Sequence, residues 1–135
     1  MVYIEKFEIE TTKNAVISIT ENVKEVLNKS GVKNGLLSIE VPHSTIGVVA
    51  TTAFVEDIRI DMMEEVKRLV PSRINFKHED TPDDAAGHIK CALFGTSVTS
   101  IVKDGNLVAD GKLGYFLMEY DGPRKRNYYI CVLGE

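Results

Sequence analysis

Apolar and polar residues alternate from Val2 to Thr11, the pattern of a strand with one face buried, because successive side chains of an extended chain point to opposite sides. The period then lengthens. Val23, Val26 and Leu27 share one face of a short helix that Thr20 can cap and Gly31 can stop. Residues 35–42, GLLSIEVP, read as a strand closed by Pro42, and residues 45–54, TIGVVATTAF, as another rich in β-branched side chains. Val55, Ile58, Met62, Val66 and Leu69 step by three or four along one helical face, with Pro71 just beyond its end.

A polar loop leads into HEDTPDDAAGHIKCALFG, residues 78–95, where Asp83 or Asp84 can cap a helix running to about Leu93. Gly95 stands where a left-handed terminal residue is wanted. The remainder is β. SVTSIVK and NLVAD flank Asp104-Gly105, a two-residue hairpin signal, and LGYFLMEY and RNYYICVL flank the turn-forming DGPRK in the same manner. Strands outnumber helices, and the closing strands follow hairpin rules. The expected class is α+β: a single domain over residues 1–135, with a largely antiparallel sheet and about three helices.

Composition changes this picture little. A chain of 135 residues with 44% hydrophobic and 27% charged positions suits one soluble domain. A net charge of −4 argues against a dedicated nucleic-acid binder. No apolar run approaches the roughly 20 residues that span a membrane, and the N-terminus lacks the apolar core of a signal peptide. Cys91 and Cys131 show no C-x-x-C spacing and read as free thiols, so a cytoplasmic location is expected.

The candidate chemistry lies in three segments. His43 follows a strand that ends at Pro42; it is either a strand-edge histidine bonded to a carbonyl or a ligand or acid–base group. Ser44 and Thr45 beside it could bind a phosphate, but no G-x-S-x-G elbow marks Ser44 as a nucleophile, which argues against a serine hydrolase. In the second segment Asp84 and His88 are four apart on one helical face. Helix capping accounts for the aspartates and leaves His78 and His88 without an equally simple explanation. Imidazole and carboxylate together suit a divalent metal, zinc or magnesium. The third segment is MEYDGPRKR, residues 118–126. Its run Arg124, Lys125, Arg126 is either a solvated hairpin tip or a phosphate clamp. Glu119, on a strand expected to be partly buried, needs a partner, and an Arg or a metal would serve.

Taken together, PHSTIGVV (42–49), the H-x5-D-x3-H within residues 78–97 and EYDGPRKR (119–126) resemble the YjbQ family, also called the secondary thiamine-phosphate synthase family. The similarity spans nearly the whole chain in the family's order. It implies a small α+β protein that assembles as a homotrimer, with a site near the subunit boundary and a weak thiamine-phosphate synthase activity. Carried over by position, the site residues are His43, His78, Asp84 and His88, with Glu119 and Arg124. His43, His78 and His88 are the expected metal ligands, and Ser44, Thr45 and Arg124 the expected phosphate contacts. This chain also departs from the pattern. Thr51 and Thr52 stand where the family has an Asn and a Glu, and Gly111-Lys112-Leu113-Gly114 where it has G-T-W-Q. These differences remove polar groups expected to reach a ligand and leave the histidines in place.

The leading functional expectation is an enzyme acting on a small phosphorylated molecule. A non-catalytic metal- or ligand-binding homotrimeric module and a metal-dependent hydrolase are the alternatives.

Overall fold

In the computed structural model, which describes residues 1–73, 75–78 and 81–135, the alternating N-terminal segment forms strand β1 (Val2–Glu10). Its even-numbered side chains face outward and its odd-numbered ones are half-buried. There follow β2 (Val16–Ser18), α1 (Thr20–Ser30), β3 (Gly35–Glu40), β4 (Ile46–Thr52), α2 (Ile58–Leu69), α3 (Pro82–Phe94), β5 (Ser97–Lys103), β6 (Asn106–Leu107), β7 (Leu113–Glu119) and β8 (Lys125–Gly134). They form a five-stranded sheet, β1-β8-β3-β5-β6, and a three-stranded one, β2-β7-β4, with antiparallel pairing throughout. The class is the expected α+β with three helices.

Strand parity builds two apolar layers. Tyr128, Ile130 and Val132 of β8 and Leu37 and Ile39 of β3 turn inward against Tyr115 and Leu117 of β7, Ile46 and Val48 of β4, and Val23, Val26 and Leu27 of α1. The opposite parity of β7 carries Met118, and Tyr120 follows just past the strand; these pack with Met63 of α2 and Cys91 of α3. The smaller sheet is therefore covered on both faces. Among the described residues, nothing covers one face of the larger sheet. Across that face Val2, Leu133, Leu36 and Ile101 lie in one cross-strand row. Each of the four is between 45% and 60% exposed.

Several local expectations need correction. The segments on either side of DGPRK do not form a hairpin. β7 pairs with β2 and β4, β8 pairs with β1 and β3, and residues 121–124 carry the chain from one sheet to the other. A turn signal reports a local reversal and cannot say which sheet each arm joins. Thr20 is the first residue of α1, not its cap; its hydroxyl accepts from the Tyr115 N–H at 2.9 Å. α3 is capped by Thr81, whose Oγ1 accepts from the Asp84 N–H at 3.0 Å, so neither Asp83 nor Asp84 is the cap. Gly95 has positive φ but extended ψ, 95° and 162°, and is not in the left-handed helical region. In α2 the most buried side chain is Met63, while Leu69 is exposed and Val55 precedes the helix. The short β2 carries no sequence signal of its own. The Asp104-Gly105 hairpin forms as expected, with φ of 52° and 81° at its two central residues. Among the described residues no helix is long and apolar enough to cross a membrane.

Candidate functional site

Asp84 sits in the first turn of α3 and is almost fully buried, so its carboxylate needs partners. It has three. His78 Nε2 lies 2.5 Å from Oδ2, His88 Nε2 lies 3.3 Å from the same oxygen, and an Arg124 Nη2 lies 3.6 Å from Oδ1. The hydrogen bond to His78 and the charge of His88 outweigh burial and hold this carboxyl below the usual carboxylate range. The two imidazole rings meet edge to face, with centroids 5.4 Å apart. One donor atom from each of His78, Asp84 and His88 falls within 4.8 Å of the other two. Asp83, one residue earlier, turns the other way. It accepts from Ser72 Oγ at 2.6 Å and pairs with Lys13.

Asp84 and His88 form one wall of an open pocket of about 610 Å³ whose other walls include His43, Ser44, Thr45 and Arg124. His43 enters from the loop after β3. Its Nε2 accepts the Asn127 backbone N–H at 3.1 Å, which leaves the ring proton on Nδ1. Burial, and then the charge of Arg126, push its pKa down, so the ring is neutral at neutral pH. Two of the three imidazoles thus come together around Asp84, and His43 stands across the pocket from that group, engaged with the main chain. The loop is fixed to α3 from beneath: Cys91 Sγ donates to the Ile46 carbonyl at 3.3 Å. Close approach is also required here, since a Cβ on Gly47 would fall 2.7 Å from the Gly95 carbonyl oxygen.

Behind the pocket lies a charged pair that bridges the two sheets. Glu119 is fully buried and receives Arg126 Nε at 2.8 Å on Oε1 and Nη2 at 2.6 Å on Oε2. Thr11 Oγ1 adds a donor at 2.5 Å. Burial raises the Glu119 pKa, but the bonds from Arg126 and Thr11 outweigh it and the net shift is downward. Arg126 Nη2 also donates to Thr45 Oγ1 at 2.7 Å, which leaves the Thr45 hydroxyl proton free to be donated elsewhere. Glu119 therefore acts on the pocket through Arg126 and Thr45 and does not line it. Of the two partners expected for its carboxylate, the structure supplies the arginine. Arg124 stands at the mouth, half exposed, clamped by Asp121 Oδ2 at 3.0 and 2.8 Å.

Asp121 and Thr11 are site residues that sequence reasoning missed, and Arg126, expected in a solvated hairpin tip or a phosphate clamp, is instead buried against Glu119. Arg126 carried a usable signal: it shares the inward parity of Tyr128, Ile130 and Val132 on the last strand. The positions that depart from the family pattern lie elsewhere. Thr51 and Thr52 pair with Gly114 and Leu113, whereas Ile46 and Glu119 mark the pocket end of the same ladder. At about 3.4 Å per residue that is roughly 20 Å away within one chain. The expectation that these changes strip contacts from this pocket does not hold within the chain.

The chain matches known proteins over nearly its whole length. The family model described as "UPF0047 protein YjbQ-like" matches residues 5–135. The chain is 34% identical over 131 residues to the UPF0047 protein MJ1081 of Methanocaldococcus jannaschii, covering 96% of this chain and 94% of that protein. It is 30% identical over 135 residues to the UPF0047 protein YugU of Bacillus subtilis, covering 97% and 99%. A crystal structure of a YbjQ-like protein of unknown function from Sulfolobus solfataricus superposes with a TM-score of 0.93 at 31% identity, over 100% of this chain and 99% of that one. A hypothetical protein from Aeropyrum pernix superposes with a TM-score of 0.90 at 29% identity, over 98% and 99%. Matched from Glu5 to its last residue, and carrying the His-Asp-His cluster on that shared fold, the chain belongs to the YjbQ (UPF0047) family.

Proposed function

We propose that this protein binds a divalent metal through His78, Asp84 and His88, holds a small phosphorylated molecule beside it, and catalyses group transfer of the thiamine-phosphate synthase type. The observation that carries the reading is the three-donor cluster, two members of which, Asp84 and His88, line a pocket that also presents Arg124, Ser44 and Thr45. The donor types fit, and one spacing does: two ligands on one tetrahedral ion with bonds near 2.0–2.1 Å stand about 3.3 Å apart, as His88 Nε2 and Asp84 Oδ2 do. His78 Nε2, hydrogen-bonded to the same oxygen at 2.5 Å, has to move outward to share the ion. Two imidazoles and a carboxylate suit zinc better than magnesium, which prefers oxygen ligands and keeps its waters.

When bound, such an ion draws charge from phosphate oxygens as a leaving group departs. The chain's own residues do the rest. Arg124, held in orientation by Asp121, meets a phosphate edge with its planar guanidinium. Thr45, turned by Arg126, donates its hydroxyl proton to a phosphate oxygen. Neutral His43 offers Nδ1–H as a hydrogen-bond donor to the departing anion without adding a charge that must be desolvated. In this reaction type a thiazole phosphate nitrogen bonds to the pyrimidine methylene carbon as the C–O bond to pyrophosphate breaks.

Metal analysis of purified protein followed by turnover assays tests this. About one zinc per chain, lost in His88→Ala, and product formation on addition of both substrates are expected. Bound metal without turnover on any phosphorylated substrate favours a binding module, and transfer to water favours a hydrolase. If His88→Ala keeps both metal and phosphate-ligand affinity, the site is misassigned.

Self-association belongs to the same reading. The apolar row Val2, Leu133, Leu36, Ile101 crosses four strands of a sheet face that none of the described residues covers. The same face continues through Lys6 and Lys125 beside Glu8 and Glu10, a balance of signs that lets copies of one chain meet. A sedimentation mass of three chains is expected, falling in Leu133→Glu.

A further inference from the structure

We infer that the ligand straddles His88: its phosphate lies in the pocket described above, and its flat apolar body lies in a second pocket on the other side of the histidine pair. The inference rests on the phosphate reading and adds to it the place and character of the uncharged half.

The second pocket measures about 620 Å³ and is lined by Phe76, Ala85 and Ile89 together with His78, His88 and Arg73. Each pocket falls within the range of about 300–1,000 Å³ usual for small-ligand sites. They share His88, so a molecule in one reaches the other across a single side chain. Their walls differ in kind: hydroxyls, guanidinium and carboxylate on one side, chiefly carbon on the other.

Helix geometry produces the apolar wall. Ala85, His88 and Ile89 stand at i, i+3 and i+4 on α3 and therefore share one face. Ala86 and Cys91 turn inward. Ile89 keeps 39% of its surface exposed toward this concavity beside the candidate metal ligands. Phe76 is half-buried across from it, and the Arg73 guanidinium lies 4.6 Å from the centre of its ring, holding the ring in place. Arg73 and Lys77 also line this pocket and add positive charge to it, which favours an anionic ligand. An isolated exposed isoleucine would need no explanation. An apolar concavity that shares His88 with a polar, anion-suited one does. An aromatic ring bearing a phosphate matches both halves, whereas inorganic phosphate or a phosphorylated sugar would leave the second pocket to water.

Calorimetric titration of the zinc-loaded protein with phenyl phosphate and methyl phosphate separates the two. The ring should tighten binding at least about tenfold, the gain expected from burying one aromatic face. Phe76→Ala and, independently, Ile89→Ser should each reduce that preference to within about threefold and leave methyl phosphate affinity unchanged, with helical circular dichroism retained. Equal affinity of the wild type for both phosphates, or a preference that survives both substitutions, overturns the inference and leaves the phosphate reading standing. If neither phosphate binds, both fall.

Discussion

Asp84 meets His78, His88 and Arg124, whereas Asp83 beside it pairs with Lys13 and Ser72. Because the cluster is centred on one carboxylate, Asp84→Asn should lower zinc affinity by at least about 100-fold, while Asp83→Asn should leave it within about threefold; competition with a chromogenic chelator measures both. Both aspartates were legible as first-turn acids, and the four-residue spacing put Asp84 on the face of His88; where the loop brings His78 is not written in the residue types. Glu119 and Arg126 make a second residue-scale case. Removing one member strands the other's buried charge, so Arg126→Met should destabilise the fold by about 3–5 kcal/mol in denaturant titrations. The pH dependence has a definite sign. The Glu119 carboxyl titrates below its ordinary value of 4.5 in the folded state, so its contribution is complete above that pH and is lost as pH falls through the folded value. Thermal melts from pH 6 down to about 3 should therefore decline more steeply for the wild type than for Glu119→Gln.

The helix α3 supplies Asp84 and His88, and with them the shape of the site, so the interactions that start this helix bear on function. Thr81 caps it, and Thr81→Ala should cost about 1 kcal/mol of stability by urea unfolding, with Thr81→Ser recovering most of it. Sequence reasoning found this helix and placed its end within one residue, because its apolar spacing and the glycine after it are local, although it took Asp83 or Asp84 for the cap. It mistook the pair β7 and β8 for a hairpin, because the turn between them is equally local while the choice of sheet is not. β7 is buried on both faces, between α1 and the larger sheet on one side and α2 and α3 on the other. No arm of a two-stranded hairpin would need that composition. The near-continuous run Tyr115 to Met118 was the available clue.

For the molecule as a whole, class and helix count were legible because they sum many local periodicities. The division into two sheets was not, since it depends on pairings between residues as distant as Ile4 and Cys131. The same holds for the pocket, which joins the loop after β3, the start of α3 and the segment between β7 and β8. Three short motifs named its residues through family resemblance. Only the fold shows that His43 is held by the Asn127 N–H while His78 and His88 share Asp84. The central claim is that this trio binds a metal ion. Zinc-edge X-ray absorption on the zinc-loaded protein tests it most directly. The account predicts a nitrogen and oxygen shell near 2.0–2.1 Å with the outer scattering of two imidazoles, absent from Asp84→Asn. A sulfur shell near 2.3 Å, which would implicate Cys91 or Cys131, or an unchanged spectrum in the variant, would contradict it.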